Sequence, residues 1–282
     1  MKPAELASRL CAQSFRFLPT NQVSRVWGRF THSASSKPLV WPFARVFRIE
    51  TREAELPLSS YGSLNEFFTR RLRPGARPID PDPGVMVSPV DGRVSAAGAC
   101  DGDRLLQIKG SSFDLFSLLR DNPMARRFEG GDFVTLYLSP QDYHRIHAPG
   151  DLSIHGLGYM PGVLLPVNPP SVRWIDGLYT QNERVMVYAD SPAGAICLVA
   201  VGANCVGSIK LFFHDFLTNR PGVGPTRLNF STPVSVKKGA ELGMFEMGST
   251  VVLLFEKGRV DLKLPELFQA VRMGQGIGRI KS

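Results

Sequence analysis

Residues 245–255 read FEMGSTVVLLF, and Glu256-Lys257-Gly258 close the run. A short continuous apolar stretch bounded by turn residues predicts a buried strand. Gly248, Ser249 and Thr250, small and polar, stand at its mouth. The same pattern repeats along most of the chain. VMVSPVDGRVSAAG, RLLQIKG, DFVTLYLS, ERVMVYAD, GAICLVAVGANCVGSIKLFF, PVSVKKGAELGMFEMG and RVDLKL are short runs rich in Val, Leu, Ile, Phe and Tyr, separated by Gly, Pro, Asp and Asn. Many short strands with intervening turns predict an α+β chain with a mostly β core of antiparallel strands, of barrel or sandwich character. Amphipathic helices precede that core.

Three further helices are expected. In SLNEFFTRRLRPGARPID, Ser63 is placed as an N-cap with Glu66 as its capping-box partner, Leu64, Phe67, Phe68 and Leu72 form an apolar face, and Pro74-Gly75 ends the helix. SSFDLFSLLRD, from Ser111, predicts a helix anchored by Phe113, Phe116 and Leu119, and PELFQAVRM predicts another near the end. The Pro-rich region from Tyr159 to Tyr179 reads as a long irregular connection.

Composition sets the frame. The 282 residues are 43% hydrophobic and 21% charged, enough to bury a real core. No uninterrupted apolar segment approaches the roughly 20 residues that span a bilayer, and no secretory signal is expected, because a continuous apolar h-region is missing from the N-terminus. Cys11, Cys100, Cys197 and Cys205 lack C-x-x-C spacing and read as reduced thiols. The net charge of +8 is concentrated at one end: up to Arg48 there are eight basic residues against Glu5 alone, so the remainder is nearly neutral. Leu6, Leu10, Phe17 and Leu18 recur at helical spacing, and Val23, Val26, Trp27 and Phe30 follow after Pro19, with Arg25 and Arg29 pointing elsewhere. Basic and aromatic-apolar faces on one helix suit the headgroup layer of an anionic membrane; the competing arrangement packs the apolar face on the protein's own core. Nucleic acid is not an expected partner, since no binding motif is present.

The residues able to do chemistry are few. QDYHRIHAPG places His144 and His147 three apart after a predicted strand. They read as proton handlers, as structural histidines, or as part of a metal site for which no third ligand of obvious spacing appears. SPVDGRV puts Asp91 at a strand-to-turn position, where Asp-Gly is first a turn signal; beside a histidine it could also hold an imidazole in one tautomer. Ser249 lies outside any G-x-S-x-G elbow. With no Cβ at Gly248, its Oγ can approach the carbonyl carbon that precedes it. Attack on its own upstream peptide bond gives an ester, elimination gives dehydroalanine, and hydrolysis gives a pyruvoyl group. A plain turn into a strand and a hydrolase using Asp91, His147 and Ser249 remain open beside this reading.

SLNEFFTRRLRPGARPID, SPVDGRV, QIKGSSFDLFSLL, YLSPQDYHRIHAPG, YMPG, NERV, VGANCVGSI and MGSTVVLLFEKG occur in an order that resembles phosphatidylserine decarboxylase of the bacterial membrane-bound, pyruvoyl-dependent type, from about Tyr61 to Gly258. One departure is Met247 where that family usually has Leu, a change of similar volume. The resemblance implies a proenzyme that cuts itself between Gly248 and Ser249 into a β chain, 1–248, and an α chain, 249–282, which stay associated. Ser249 becomes the pyruvoyl cofactor; no metal or nucleotide is required. Asp91, His147 and Ser249 form the implied self-cleavage triad, and His144 takes part in decarboxylation. Phosphatidylserine would be converted to phosphatidylethanolamine and CO2 through a Schiff base. On this reading residues 1–60 are membrane-associating helices and 61–282 the catalytic core. The protein is then peripheral on the cytoplasmic face of the inner membrane, and homodimer formation is left open.

Overall fold

A computed structural model describes residues 3–106, 112–120, 123–204, 208–220, 222–246 and 249–281; Ser111, Cys205, Met247 and Gly248 lie outside them. Its centre is an eight-stranded antiparallel sheet. In spatial order the strands are Thr226–Val236, Leu152–Met160, Arg184–Ser191, Gly194–Gly202, Ser249–Phe255, Asp132–Leu138, Gly92–Ala99 and Ala270–Val271. The sheet is open at both ends, so the expected sandwich character holds and a closed barrel does not form.

The run that opened the sequence lies at the heart of this sheet. Ser249–Phe255 pairs antiparallel with Asp132–Leu138 on one side and with Gly194–Gly202 on the other. All seven of its residues are buried. Val251, Leu253 and Phe255 enter one core, and Val252 and Leu254 enter a second core on the opposite face. A strand covered on both faces has no solvent side, which is why its sequence shows no polar alternation.

The first core lies beneath two three-stranded sheets. One joins Ile209–Leu211, Glu241–Phe245 and Arg145–His147; the other joins Val85–Val87, Gly276–Ile280 and Val260–Leu262. The second core is closed by short helices, Leu115–Leu119, Pro169–Trp174 and Leu178–Gln181.

The expected capping box is present. Ser63 Oγ accepts from Glu66 N at 3.1 Å and Glu66 Oε2 accepts from Gly62 N at 2.6 Å, starting the helix Leu64–Phe68. Other expectations need correction. Phe113 belongs to a strand, Ser112–Asp114, and the helix begins only at Leu115, where Asp114 caps it through Phe116 N and Ser117 N. PELFQAVRM forms no helix. Phe268 N donates to Val94 O at 2.7 Å and Val94 N to Gln269 O at 3.2 Å, so this backbone is consumed by the free edge of Gly92–Ala99. The 159–179 connection carries two short helices and braces the leader: Arg173 pairs with Glu5 at 2.7 Å, and Trp174 Nε1 donates to Ser8 Oγ at 3.3 Å.

The leader folds as Pro3–Ser14, Thr20–His32 and Val40–Val46, with 3-10 turns between them. Pro42 sits in the first turn of the last helix, where its missing N–H removes no intrahelical bond. Thr20–His32 is mounted with its small polar face inward: Thr20, Ser24, Gly28 and Thr31 are buried. Thr20 Oγ1 accepts from Leu164 N at 3.3 Å and Asn21 Nδ2 donates to Gly162 O at 2.7 Å. Val23, Val26 and Phe30 therefore face outward, together with Leu6, Leu10, Phe17 and Leu18. Trp27, of the same set, is partly buried with its indole nitrogen enclosed, so this side chain packs on the protein while the others stay exposed. No helix among the described residues is long and apolar enough to cross a membrane.

Candidate active site

Ser249 is the first residue of the central strand and is wholly buried. Its register partners are Leu138 and Gly202. Successive side chains of a strand alternate between faces, so Ser249 shares the face of Val251, Leu253 and Phe255. That face is covered by the small sheet carrying His147, since Ile146 and Phe245 belong to the same core as Val251. Ser249 Oγ has no hydrogen-bond partner among the described residues. A buried hydroxyl without a partner costs about 1–3 kcal/mol.

His144 converges on the same end. Its Nε2 donates to the carbonyl of Ser139 at 3.1 Å, and Ser139 follows the register partner of Ser249. Its main-chain carbonyl accepts from Phe245 N at 2.9 Å, four residues before Ser249. The ring stacks on Phe68 with centroids 4.0 Å apart. Because Ser139 O can only accept, Nε2 carries the proton and Nδ1 is left as a lone pair; like Ser249 Oγ it has no partner among the described residues. Full burial, with the nearby charge of Arg70 adding to it, pushes the imidazole down to about 3.

Arg70 is itself buried beside the ring of Phe67, with its Cζ 5.2 Å from the ring centroid. Nη2 donates to the carbonyls of Gln141 at 3.2 Å and Asp142 at 3.4 Å, whereas Nε and Nη1 are unpartnered. The turn that presents His144 is held by Asp142, whose carboxylate accepts from Ser139 N at 2.6 Å and is pushed up to about 6 by burial.

His147 ends the strand Arg145–His147. Its Nδ1 donates to Gly239 O at 2.7 Å and its Nε2 accepts from Tyr143 Oη–H at 3.0 Å. Burial lowers its pKa, partly offset by the Gly239 bond and by the fields of Glu241 and Asp91. The ring is therefore a neutral base at pH 7, with its electron pair at Nε2 directed at the Tyr143 hydroxyl. Tyr143 was not singled out in the sequence, although it stands within the quoted QDYHRIH motif.

Asp91 lies beside His147 without touching it. The two strands meet through His147 N, which donates to Pro89 O at 2.8 Å. Both Asp91 oxygens are taken by Arg77, at 2.6 to 3.0 Å, and Oδ1 also accepts from Met273 N at 2.8 Å. Arg77 continues to Glu53 at 2.8 Å. Gly239, and not Asp91, fixes the His147 tautomer; Asp91 acts on the ring through its charge. Arg77 was legible only as one basic residue among several in RRLRPGARP.

Behind the serine stands a second buried polar group, the Asn182-Glu183-Arg184 segment of the NERV motif. Asn182 Nδ2 donates to Gly202 O at 2.8 Å, and Gly202 N donates to Glu183 O at 2.8 Å. These bonds fix the strand partner of Ser249. Among the described residues, no three His, Cys, Asp or Glu side chains gather as a metal site would require.

Fold and site together define an α+β protein with a buried serine at the mouth of its central strand and two buried histidines, His144 and His147. A family model described as phosphatidylserine decarboxylase matches residues 64–279, and the chain belongs to that family. It is 45% identical over 274 residues to the phosphatidylserine decarboxylase proenzyme of Anaeromyxobacter sp. (strain K), covering 95% of this chain and 96% of that protein. It is 44% identical over 269 residues to the proenzyme of the same name from Myxococcus xanthus (strain DK1622), covering 93% and 95%. The corresponding proenzyme of Brevibacillus brevis is 41% identical over 271 residues, covering 94% and 96%.

Proposed function

We propose that this chain is a self-processing, pyruvoyl-dependent decarboxylase that converts phosphatidylserine to phosphatidylethanolamine and CO2 at a membrane surface. The observation that carries the reading is the pair of unpartnered buried polar atoms, Ser249 Oγ and His144 Nδ1, at one end of the central strand. An oxygen left without a hydrogen bond and preceded by glycine is suited to attack the adjoining amide.

In self-cleavage, Ser249 Oγ adds to the carbonyl carbon of Gly248 and the backbone nitrogen leaves, giving an ester. His147 is the base that accepts the hydroxyl proton at Nε2 through Tyr143, and Asp91 stabilises the cation so formed. Loss of the Ser249 Cα proton expels the Gly248 carboxylate, and water releases the nitrogen as ammonia. The pyruvoyl group so made would supply an electrophilic carbonyl that condenses with the substrate amine and takes up the electrons left by departing CO2. The amine arrives as an ammonium ion. His144, neutral in the substrate-free protein, would gain basicity beside the substrate carboxylate, so that its Nδ1 accepts a proton from the amine and later returns one to the carbon that lost CO2. Burial in an apolar, water-poor setting, against Phe68, holds that proton relay away from solvent.

The two chains remain associated because the new terminus lies within a strand paired on both sides. Val251, Val252, Leu253, Leu254 and Phe255 are fully buried. At about 2 kcal/mol each, they contribute on the order of 10 kcal/mol to retention.

Cleavage should follow the ionisation of His147. Its pKa is lowered from the ordinary 6.5, so it stays basic at and somewhat below that pH. The maturation rate is expected to be flat from pH 8 to 6.5 and to fall only under more acidic conditions. Asp142, at about 6, titrates nearby; Asp142→Asn should leave the acid limb in place. A limb midpoint above 6.5, read by gel or mass from a pH series, would reject His147 as the base.

The outward apolar residues of the leader support membrane contact: Phe17 is 88% exposed, Val26 66% and Trp41 58%. They are flanked by most of the chain's excess positive charge. Phe17→Ser combined with Trp41→Ser should lower partitioning onto anionic vesicles about tenfold or more, with self-cleavage unaffected. Vesicle flotation measures this, and equal partitioning would remove these helices from the membrane contact.

A further inference from the structure

A cleft of about 480 Å³ opens between the leader helix Thr20–His32 and the sheet end that precedes Ser249. Arg25, Arg29 and His32 descend from the helix, Arg220 faces them, and Ser208 and Glu246 close the inner end. Gly28, buried on the helix, lines the same wall. The charge is unbalanced. The Glu246 carboxylate is already engaged by His32 Nε2 at 3.2 Å and by the Ser208 hydroxyl. Arg25 reaches the buried Glu183 only through its field. Among the described residues none of the three arginines forms an ion pair. Three guanidiniums thus share one cleft with a single, occupied carboxylate.

Two connections tie the cleft to the serine. Glu246 lies three residues before Ser249 in the chain. Thr218 Oγ1 and Asn219 N, on the cleft wall, bond to Glu183 at 3.2 and 2.9 Å, and the main chain of Glu183 holds Gly202, the register partner of Ser249. At the outer rim the same helix turns Val23, Val26 and Phe30 to the exterior. An amphiphile whose acyl chains follow that apolar face would bring its polar head into the basic cleft.

We propose that this cleft binds the phosphate of the anionic phospholipid substrate, with Arg25, Arg29 and Arg220 as its donors. The inference rests on the decarboxylase reading and deepens it. Guanidinium matches phosphate oxygens in bidentate geometry and is the side chain suited to this task. In a phosphoserine headgroup the amine lies only a few bonds from the phosphate, so fixing the phosphate here presents the amine toward the mouth of the central strand.

The test uses the purified, self-cleaved protein and a short-chain phosphatidylserine kept monomeric, which separates headgroup recognition from adsorption to a bilayer. Arg29→Gln with Arg220→Gln should raise KM about tenfold or more, the effect of losing charge-assisted bonds, with kcat little changed and cleavage complete. Lysine at both positions should recover part of the loss. Glycerol 3-phosphate should inhibit the parent competitively and the double glutamine variant much less, and inorganic phosphate should inhibit more weakly than glycerol 3-phosphate. An unchanged KM in the double variant overturns the proposal, even if binding to anionic vesicles falls, because the arginines then serve only the membrane surface. Inhibition by inorganic phosphate as strong as by glycerol 3-phosphate, with no change in lipid KM, overturns it equally. If the parent neither cleaves nor releases CO2, the decarboxylase reading itself fails; normal turnover by the parent with an insensitive KM in the variant sinks the cleft alone.

Discussion

Ser249→Ala is expected to yield a single intact chain of 31.0 kDa that releases no CO2 from phosphatidylserine. The parent should separate on denaturing analysis into fragments 1–248 and 249–282, the second opening with a ketone that hydroxylamine or borohydride modifies. The loss of activity should be complete, because the substitution removes both the attacking oxygen and the atoms from which the cofactor is made. Stability should move the other way. Ser249 is buried and its Oγ is unpartnered, so alanine relieves a desolvated hydroxyl and should leave the fold as stable or more stable by about 1 kcal/mol. Mass spectrometry and a thermal melt on one sample read both effects. An uncut parent with an unmodified serine would refute self-processing, and labelling of that serine by an active-site phosphonate would favour a hydrolase acting on external esters.

The two histidines should separate the two reactions. His147→Gln can still occupy the space between Tyr143 and Gly239 but provides no base, so cleavage should slow by roughly 10²–10⁴-fold, the usual worth of general base catalysis. His144→Ala should still cleave, yet decarboxylation should fall by a comparable roughly 10²–10⁴ factor. It should also lose about 1–3 kcal/mol of stability, because the ring fills a buried space against Phe68. Time courses of chain cleavage and of CO2 release, run side by side, decide the assignment. The reverse pattern, with His144→Ala uncut and His147→Gln cleaving normally, would exchange the two roles and point to His144 Nδ1 as the base toward Ser249.

Sequence alone determined what local chemistry can encode. The run after Ser249 marks a strand without a solvent face, Ser63 and Glu66 mark a helix start, and the leader shows its two faces by period. QDYHRIH, SPVDG and MGST supplied the histidines, Asp91 and Ser249, whereas Arg70, Arg77 and Phe68 were not singled out as site residues. Tertiary structure decided whatever depends on partners distant along the chain. The edge strand Thr226–Val236 sets Leu228, Phe230, Val234 and Val236 only partly into the core and leaves its other face to solvent, and PELFQAVRM, helical in composition, forms a turn and the short strand Ala270–Val271 along the edge of Gly92–Ala99 instead. Asp91 could not be assigned its partners from spacing: Arg77 and Met273 N reach it from two separate segments, and Glu53 in turn holds Arg77. The direction of the leader helix was likewise undecided until Thr20, Ser24, Gly28 and Thr31 were seen to face inward. Periodicity fixes which residues share a face, whereas burial depends on what that face meets, and that is settled only when the whole chain has packed.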